Sequence, residues 1–377
     1  MAGSTELWKM DAVALAQAIR TKQVSAVEVT EAALHHVETL DPLLHAFCTP
    51  TPEIARAEAA AVERAILAGD PVGPLAGVPY GIKDLICTKG VRTASGSFAY
   101  HDFIPDEDDV VVERMRAAGA VSLGKTNVPE FGYSGVGHNP VFETTRNPWN
   151  LERTPRGSSA GSGAAVASGM CPIALGSDGG GSIRIPSAHC GLYGMKASMG
   201  RVPLYPGTKD ERYPGVSSWE SLEHIGPMSR TVPNAAPMLS VIAGPDDRDR
   251  LSIPKVDFDW MEMVNRTDLK GCRVAYSPDW GYAAVDPEVR RVVGEAVRAF
   301  ETDLGCVVEE AHPGFDDPYA AFWGLVALES DLTGLRAMVA EHGHHMTPHL
   351  VEFITRPWTA EDFTSAVMKR KEVTNRI

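Results

Sequence analysis

A lysine and two serines, each set among glycines and other small residues, are the side chains of this 377-residue sequence best suited to chemistry. Lys83 lies in GVPYGIKD, Ser158 in GSSAGSG and Ser182 in GSDGGGSIRIP. Glycine lets the backbone approach a bound molecule closely. A serine hydroxyl attacks a carbonyl poorly until a base removes its proton, and a neutral lysine can be that base. Each stretch alone is weak evidence, but together they contain the side chains that nucleophilic catalysis by serine would need.

Three consecutive glycines, Gly179, Gly180 and Gly181, stand directly before Ser182. Glycine permits the unusual dihedrals that several backbone N–H groups need in order to point at one developing oxyanion. Loss of one such donor in a hydrolase lowers the rate by about 10²–10³. The pattern favours an oxyanion loop made by these four residues, and a flexible surface turn is the alternative.

The order of these stretches, followed by CGLYGMKAS, GRVPLYP and GPMSRTV, resembles the amidase signature family over nearly the whole chain. Members of that family are hydrolases with a Ser-cisSer-Lys triad. The resemblance implies that Ser182 is the nucleophile, that Lys83 is the proton acceptor and that Ser158 bridges them. Ser158 lies 24 positions before Ser182, the family's spacing, which selects it over Ser159. The implied reaction is hydrolysis of a carbon–nitrogen amide bond through an acyl-enzyme, with no metal or organic cofactor.

Residues next to the implied triad are candidates for support and for substrate contact. Asp178 and Arg184 flank the glycines and are expected to pair with each other or with nearby backbone. Together with Ser159 they would hold the loop in shape around the triad. Tyr133, in PEFGYSG, falls where the family lines its acyl pocket, and Ser177 precedes the loop. Both are pocket candidates, and core packing is the alternative for Tyr133.

The chain departs from the family pattern beside the site. Arg156 and Ala160 stand where the family commonly has glycines, and Ala197-Ser198 replace the usual Pro-Thr. The family usually has a larger residue where Gly179 stands. The triad is untouched, so these departures bear on substrate range.

The resemblance leaves the substrate open among small aliphatic or aryl amides, amide oligomers of ω-amino acids, and carbamates (urethanes). Esters should also be cleaved. The alternative function is that of a glutaminase-type A subunit of a transfer-RNA amidotransferase, which belongs to the same family and works with partner proteins. A non-catalytic binding relative would be expected to lack one of the triad residues.

Other motifs offer competing interpretations. GSSAG fits the nucleophile elbow of α/β-hydrolases with Ser159 at its centre, but the elbow requires a preceding strand and ERTPR does not predict one. Ser122 and Lys125 fit S-x-x-K without a distant K-T-G companion. GSGAAV is similar to a dinucleotide loop, yet Val166 occupies the third glycine position. None of these patterns displaces the triad.

Histidines are the other candidates for a catalytic base or a metal ligand. His189 lies in the nucleophile segment, where the resemblance implies a packing role. A cluster near the end of the chain has partial metal-ligand spacing but lacks the glutamate of H-E-x-x-H, and we expect an exposed loop there: His342, His344, His345 and His349. No metal site is predicted.

Composition limits the classes of partner and compartment. The formal net charge is −14, so phosphate backbones and anionic lipid surfaces would be repelled on average. The six cysteines form no C-x-x-C pair, which favours free thiols in a reducing compartment. The first residues show no secretory signal, and no apolar run reaches about 18 residues. We expect a cytoplasmic protein that binds neither nucleic acid nor membrane, with a homodimer left open.

The pattern predicts one large α/β domain, which the resemblance implies is a mixed, twisted sheet with helices on both faces. Helices are expected at 26–40, after a capping box at Ser25 and Glu28, and from Pro52 to Gly69. Strands are expected at 78–84, 120–124 and 171–175, and a strand-helix-strand unit at 273–308. We divide the domain into a helical part (1–70), a catalytic core (71–240) and an outer part (270–377). The family usually continues further, so the C-terminal end is expected to be incomplete or unusual.

Overall fold

The computed structural model describes residues 4–207, 209, 211–215, 219–256, 259–265 and 268–377. These residues group into two compact units. The first comprises Met1–Met261 and Ser330–Arg356, and the second comprises Glu262–Glu329 and Pro357–Ile377. All of the predicted site residues belong to the first unit.

Six strands within the described residues form one mixed sheet in the first unit: β1 (Phe47–Pro50), β2 (Pro79–Lys83), β3 (Val121–Thr126), β4 (Ile173–Ser177), β5 (Tyr193–Gly194) and β6 (Ile225–Ser229). Their spatial order is β1-β3-β2-β4-β6-β5. Strand β2 lies between β3 and β4 and runs parallel to both. The other pairings are antiparallel. All residues of β2, β3 and β4 are buried, as expected for parallel strands covered on both faces.

The helices among the described residues are α1 (Ala12–Arg20), α2 (Ala26–Leu44), α3 (Pro52–Ala68), α4 (Val110–Ala117), α5 (Ala160–Ala167), α6 (Arg184–Cys190), α7 (Val232–Ile242), α8 (Trp260–Val264), α9 (Pro287–Thr302), α10 (Tyr319–Leu328), α11 (Leu332–His342), α12 (Pro348–Thr355) and α13 (Ala360–Arg376). Helix α3 packs on β3, α5 on β4, and α7 on β6. The predicted α/β class, a mixed sheet flanked by helices, is confirmed. No helix in the described ranges has the length and apolar character that crossing a bilayer requires.

The sequence located the central elements to within a few residues. The three predicted strands coincide with β2, β3 and β4, and the capping box of Ser25 and Glu28 begins α2. Strands β1, β5 and β6 were not predicted, since their sequences are short and contain proline or glycine. The boundaries of the helical part (1–70), the catalytic core (71–240) and the outer part (270–377) stay a prediction.

Small residues bring α5 unusually close to the sheet. A Cβ atom on Gly161 would lie 2.1 Å from the carbonyl oxygen of Ala46 and 2.3 Å from the backbone nitrogen of Asn127. The Gly161 N–H instead donates to the carbonyl of Asn127 at 2.9 Å. Any side chain here would push the helix away, so the glycine fixes where the helix N-terminus meets the strand ends. Ser158 and Ser159 directly precede that N-terminus.

The second unit contains the predicted strand-helix-strand arrangement. Strands β7 (Arg273–Tyr276) and β8 (Val307–Glu310) are parallel, with α9 between them in the chain, which confirms that prediction. Helices α10 and α13 pack against each other. The regularly spaced apolar residues of α9, Val289, Val292, Val293 and Phe300, are exposed. Helical periodicity alone therefore did not show whether this apolar face is covered.

Candidate active site

Lys83 ends the central strand β2 with its side chain fully buried. Its Nζ donates to Ser158 Oγ at 2.7 Å, to Ser177 Oγ at 2.8 Å and to the Ser177 carbonyl at 3.1 Å. Burial lowers the pKa of Lys83 to about 8, although the Glu223 and Asp178 carboxylates oppose that shift. The lysine is thus surrounded mainly by hydroxyl groups, and its neutral form is accessible near pH 8.

Ser158 lies at the start of the segment that enters α5. The peptide bond between Gly157 and Ser158 is cis, and residues 152–156 form no strand, so the strand that a nucleophile elbow at Ser159 requires is missing there. The Ser159 hydroxyl bonds the backbone of Ser177 on both its carbonyl and its N–H, at 3.2 Å each. Its own N–H donates to the Ser182 carbonyl at 3.1 Å. Ser159 therefore ties the end of β4 to the segment that carries Ser182.

The Asp178 carboxylate organises the glycine loop. It accepts N–H groups from Gly181 at 2.7 Å, Ile183 at 3.1 Å and Arg184 at 3.3 Å. The Arg184 guanidinium adds bonds of 2.9 and 2.8 Å. Burial alone would raise the pKa of Asp178, but these charged and backbone donors outweigh it and hold the pKa at about 2.

One of the predicted oxyanion donors is engaged by this carboxylate. Gly181 has a φ of +118°, a backbone conformation that favours glycine, and its N–H is the one directed at Asp178. A hydrogen already held at 2.7 Å by a carboxylate is not free to meet a substrate oxygen. The set of candidate donors therefore narrows to Gly179, Gly180 and Ser182.

A narrow pocket with a cavity volume of about 50 Å³ reaches these groups, and we name it the serine pocket. Three serines line it, together with apolar, glycine and two acidic residues: Ser158, Ser177, Ser182, Leu85, Ile86, Asp109, Phe131, Gly132, Leu204, Gly207, Trp219, Glu223 and Ile225. Ser158 and Ser182 thus open on one cavity, and Ser158 is bonded to Lys83. Of the two predicted pocket residues, Ser177 lines this cavity.

Tyr133 lies behind the pocket wall instead of in it. Its hydroxyl accepts the indole N–H of Trp219 at 3.1 Å and hydrogen-bonds Ser330 Oγ at 2.9 Å. The Tyr133 and Trp219 rings meet edge to face at 5.0 Å between centroids. Tyr133 is buried, so the structure agrees better with the packing alternative, in which it holds the lining residue Trp219.

Sequence reasoning missed one acidic residue beside the triad, Glu223, which lines the serine pocket. A Cβ atom on Gly179 would lie 2.7 Å from Glu223 Oε2 and 2.6 Å from Cε3 of Trp219, so both side chains press against the glycine loop. Burial raises the pKa of Glu223, and the nearby Lys83 lowers it. Glu223 stands three residues before the GPMSRTV stretch, and that position was the only signal available.

The competing motifs occupy other places. The backbone N–H of Ser122 donates to Glu58 Oε2 at 2.8 Å, and the Lys125 amine bonds Thr93 Oγ1 at 2.8 Å. His189 is exposed on α6. His344, His345 and His349 are exposed as expected, but the four histidines lie at helix ends and in a short 3-10 helix instead of in a loop. Within the described ranges no three His, Cys, Asp or Glu side chains are grouped to hold a metal ion.

Comparison with known proteins gives the family. Residues 28–370 match the Amidase family model. The chain is 41% identical over 368 residues to the A subunit of the glutamyl-tRNA(Gln) amidotransferase of Carboxydothermus hydrogenoformans, covering 97% of this chain and 74% of that protein. It is 40% identical over 316 residues to an acylamidase of Rhodococcus erythropolis, covering 83% of this chain and 64% of the relative.

Solved structures agree with the sequence relatives. A bacterial aryl acylamidase of the amidase signature family matches with a TM-score of 0.89 and 31% identity, covering 97% of this chain and 76% of that one. A 6-aminohexanoate cyclic dimer hydrolase with bound substrate matches with a TM-score of 0.84 and 29% identity, covering 99% and 77%. The chain therefore belongs to the amidase family, the amidase signature enzymes, whose reaction is the hydrolysis of amides.

Proposed function

We propose that this protein hydrolyses the carbon–nitrogen bond of a small-molecule amide through an acyl-enzyme on Ser182. The observation that carries the proposal is the buried Lys83 amine, 2.7 Å from a Ser158 hydroxyl that shares one cavity with Ser182. That arrangement gives a base, a bridging hydroxyl and a nucleophile from three separate segments. A chain folded for binding alone has no need of a buried lysine in such a position.

In the proposed reaction the neutral Lys83 amine takes a proton from Ser158 as Ser158 takes one from Ser182. The Ser182 oxygen attacks the substrate carbonyl, and the N–H groups of Gly179, Gly180 and Ser182 stabilise the oxyanion. The proton then returns from Lys83 through Ser158 to the leaving nitrogen, because an unprotonated amine leaves poorly. Water later releases the acyl group by the same relay. This route gives no chemical role to a metal ion or an organic cofactor.

The shifted pKa of Lys83 supports its role as base. A lysine with the ordinary pKa near 10.5 would be protonated about 300 to 1 at pH 8. The Lys83 pKa of about 8 leaves the protonated and neutral forms in comparable amounts at that pH. Burial alone achieves this, so the same packing that holds the lysine also prepares it for proton transfer.

The substrate proposal covers aliphatic and aryl amides, amide oligomers and carbamates, with esters as a side activity. An acylamidase and a 6-aminohexanoate dimer hydrolase among the relatives are in keeping with this range. We infer action on a soluble small molecule, in the cytoplasm, without nucleic acid or membrane. A panel of anilides, primary amides, carbamates and esters, with the released amine or alcohol measured, tests it.

The nucleophile is tested by covalent labelling. A fluorophosphonate probe followed by peptide mass spectrometry should place the label on Ser182, and Ser182→Ala should abolish both the label and turnover. Ser159→Ala and Ser122→Ala are the matched controls and should still be labelled at Ser182. A label on Ser159 or Ser122 in the unmodified enzyme would refute the assignment.

A glutaminase-type A subunit of a transfer-RNA amidotransferase is the second candidate. The 41% identity to such a protein over 97% of this chain favours it. One assay distinguishes the two functions, in which the purified chain alone is given glutamine and a neutral anilide. Hydrolysis of the anilide alone supports the small-molecule amidase. Glutaminase activity that appears only with copurified partner proteins supports the amidotransferase function.

A further inference from the structure

We propose that the serine pocket selects substrates that carry a positively charged amine near the scissile bond, with Glu223 as the group that binds the amine. The inference rests on the proposed hydrolase function and adds the chemical class of the substrate. Its basis is the charge of the pocket lining, the position of the Glu223 carboxylate and the charge state that the mechanism requires of Lys83.

The lining carries carboxyl groups and aromatic surface, and burial raises the pKa of Asp109 to about 8, which leaves Glu223 as the carboxylate of interest. Among the described residues that line the serine pocket, the two ionisable carboxyl groups are Asp109 and Glu223, and no arginine, lysine or histidine lines it. Trp219 and Phe131 add aromatic rings to the same wall. Carboxylates with aromatic rings form the kind of surface that binds alkylammonium ions, and they repel a carboxylate-bearing ligand.

Glycine at position 179 allows the Glu223 carboxylate to reach the reaction centre. Because a Cβ there would lie 2.7 Å from Oε2 and 2.6 Å from the Trp219 ring, any larger residue would displace both groups. The carboxylate therefore lies beside the loop that is proposed to hold the oxyanion. An amine bound to Glu223 would be close to the carbonyl under attack, which favours a short spacer between them.

The proposed mechanism leaves Glu223 without a positive neighbour at the moment of attack. Among the described groups, Lys83 is the cation that lowers the pKa of Glu223, while the nearby Asp178 carboxylate raises it. Lys83 has to be neutral to act as a base, and burial and the Asp178 carboxylate then raise the pKa of Glu223 with only the Ser177 hydroxyl opposing them, so the charged form of Glu223 lacks a cation to stabilise it. A substrate ammonium supplies the missing charge, and by binding Glu223 it also disfavours protonation of Lys83.

Competitive inhibition of neutral-anilide hydrolysis by n-butylammonium, n-butanol and butyrate at pH 8 tests the proposal. These probes share a short alkyl chain and differ in charge. We expect the inhibition constant of butylammonium to be at least about tenfold below that of butanol, equivalent to about 1.4 kcal/mol, with butyrate the weakest. Melting temperatures measured with each probe should rank them in the same order, because a ligand that binds the folded state stabilises it.

In Glu223→Gln the inhibition constants of butylammonium and butanol should lie within about twofold of each other. The ion pair with Glu223 is expected to account for most of the roughly tenfold difference in the wild-type protein. Glu220→Gln is the matched control, because this carboxylate lies three residues earlier and pairs with Arg250 outside the pocket. It should keep the ammonium preference. Equal loss in both variants would overturn the assignment to Glu223.

Equal affinity of the wild-type protein for butylammonium and butanol would overturn the inference whatever the variants do, including a Glu223→Gln that fails to fold. Hydrolysis of the neutral anilide would continue in that case, so the proposed function would stand. Failure of the proposed function would give another result, because neither anilide hydrolysis nor a label on Ser182 would then be observed. The melting temperatures with butylammonium, butanol and butyrate can still be ranked in that case, and their order decides the inference.

Discussion

Two fully buried lysines lie on neighbouring strands, and they differ in whether their hydroxyl partners line the serine pocket. Lys83 ends β2 and bonds two serine hydroxyls. Lys125, on β3, bonds the Ile86 carbonyl at 2.5 Å, Thr93 Oγ1 at 2.8 Å and Thr88 Oγ1 at 3.2 Å, and its Nζ lies 4.0 Å from Asp84. We call Lys125, Asp84, Thr88 and Thr93 the Lys125 cluster.

Burial lowers the pKa of both lysines, so burial does not distinguish them. The Lys125 cluster supplies its own counter-charge, since Asp84 raises the pKa of Lys125 in opposition to burial. Its hydroxyl partners are absent from the pocket lining, whereas the Ser158 and Ser177 partners of Lys83 belong to it. We infer from this difference that a lysine can act as a base when it bonds a hydroxyl group that lines a cavity. A buried lysine whose hydroxyl partners do not reach a cavity has a structural role.

Replacing the two lysines should give the largest contrast. Lys83→Ala removes the base, and we expect kcat/KM for an amide to fall by about 10²–10⁴. An ester should lose less, because an alkoxide leaves without the proton that an amine requires. The measurement is kcat/KM on a matched amide and ester pair. Equal losses on both substrates would count against the proton relay.

Lys125→Met should instead lower stability. It leaves the Asp84 charge buried without its partner, which is expected to lower the free energy of unfolding by about 3–5 kcal/mol. Burial already raises the pKa of Asp84 to about 6, with Lys125 opposing it. Adding Asp84→Asn should recover much of the loss, as measured by urea unfolding at pH 8. A Lys125→Met protein that is stable but inactive would break the comparison.

The hydroxyl partners offer a finer test, because Ser177 and Thr93 each lie 2.8 Å from a buried lysine Nζ. Ser177→Ala should reduce kcat about tenfold, since it removes an acceptor that orients Lys83. Thr93→Ala should leave kcat near the wild-type value and lower the free energy of unfolding by about 1 kcal/mol. The comparison fails if the two variants lose activity equally.

The smallest effect concerns the charge around Lys83. Activity should rise with pH through an apparent pKa near 8, because protonation removes the lone pair of the base. Glu223 and Asp178 both raise the pKa of Lys83, so Glu223→Gln should move the rise in kcat/KM to lower pH. Glu220→Gln should leave it in place. A shift to higher pH would show that Glu223 does not act through its charge.

The lowered pKa of Lys83 also has a consequence for stability. The unfolded chain binds this proton up to about pH 10.5 and the folded chain only to about pH 8. The unfolded state therefore binds more protons between these values, and the Lys83 contribution to stability increases across that window as pH rises. Below pH 8 the folded protein bears the full penalty of burying the ammonium.

The central strands could be predicted because they depend on local pattern, and the candidate site residues because their motifs resemble those of a known family. Apolar runs predicted β2, β3 and β4, and the glycine-rich stretches located Lys83 and Ser182. Glu223 and Trp219 were missed because they lie on an irregular segment, where no periodicity shows which side chains turn inward. The Gly181 N–H was assigned to the oxyanion because sequence does not show that the Asp178 carboxylate turns back to meet it.

The position of β2 in the sheet has a consequence for synthesis of the chain. Lys83 leaves the ribosome early, but β4 beside it and β6 beyond β4 follow only at residues 173–177 and 225–229. At about 5–20 residues per second, roughly 5–19 s pass between Lys83 and the end of β4. During that interval an apolar strand with unpaired backbone awaits its neighbour, which is a state prone to aggregation. Chaperones supplied during translation should therefore raise the yield of folded protein.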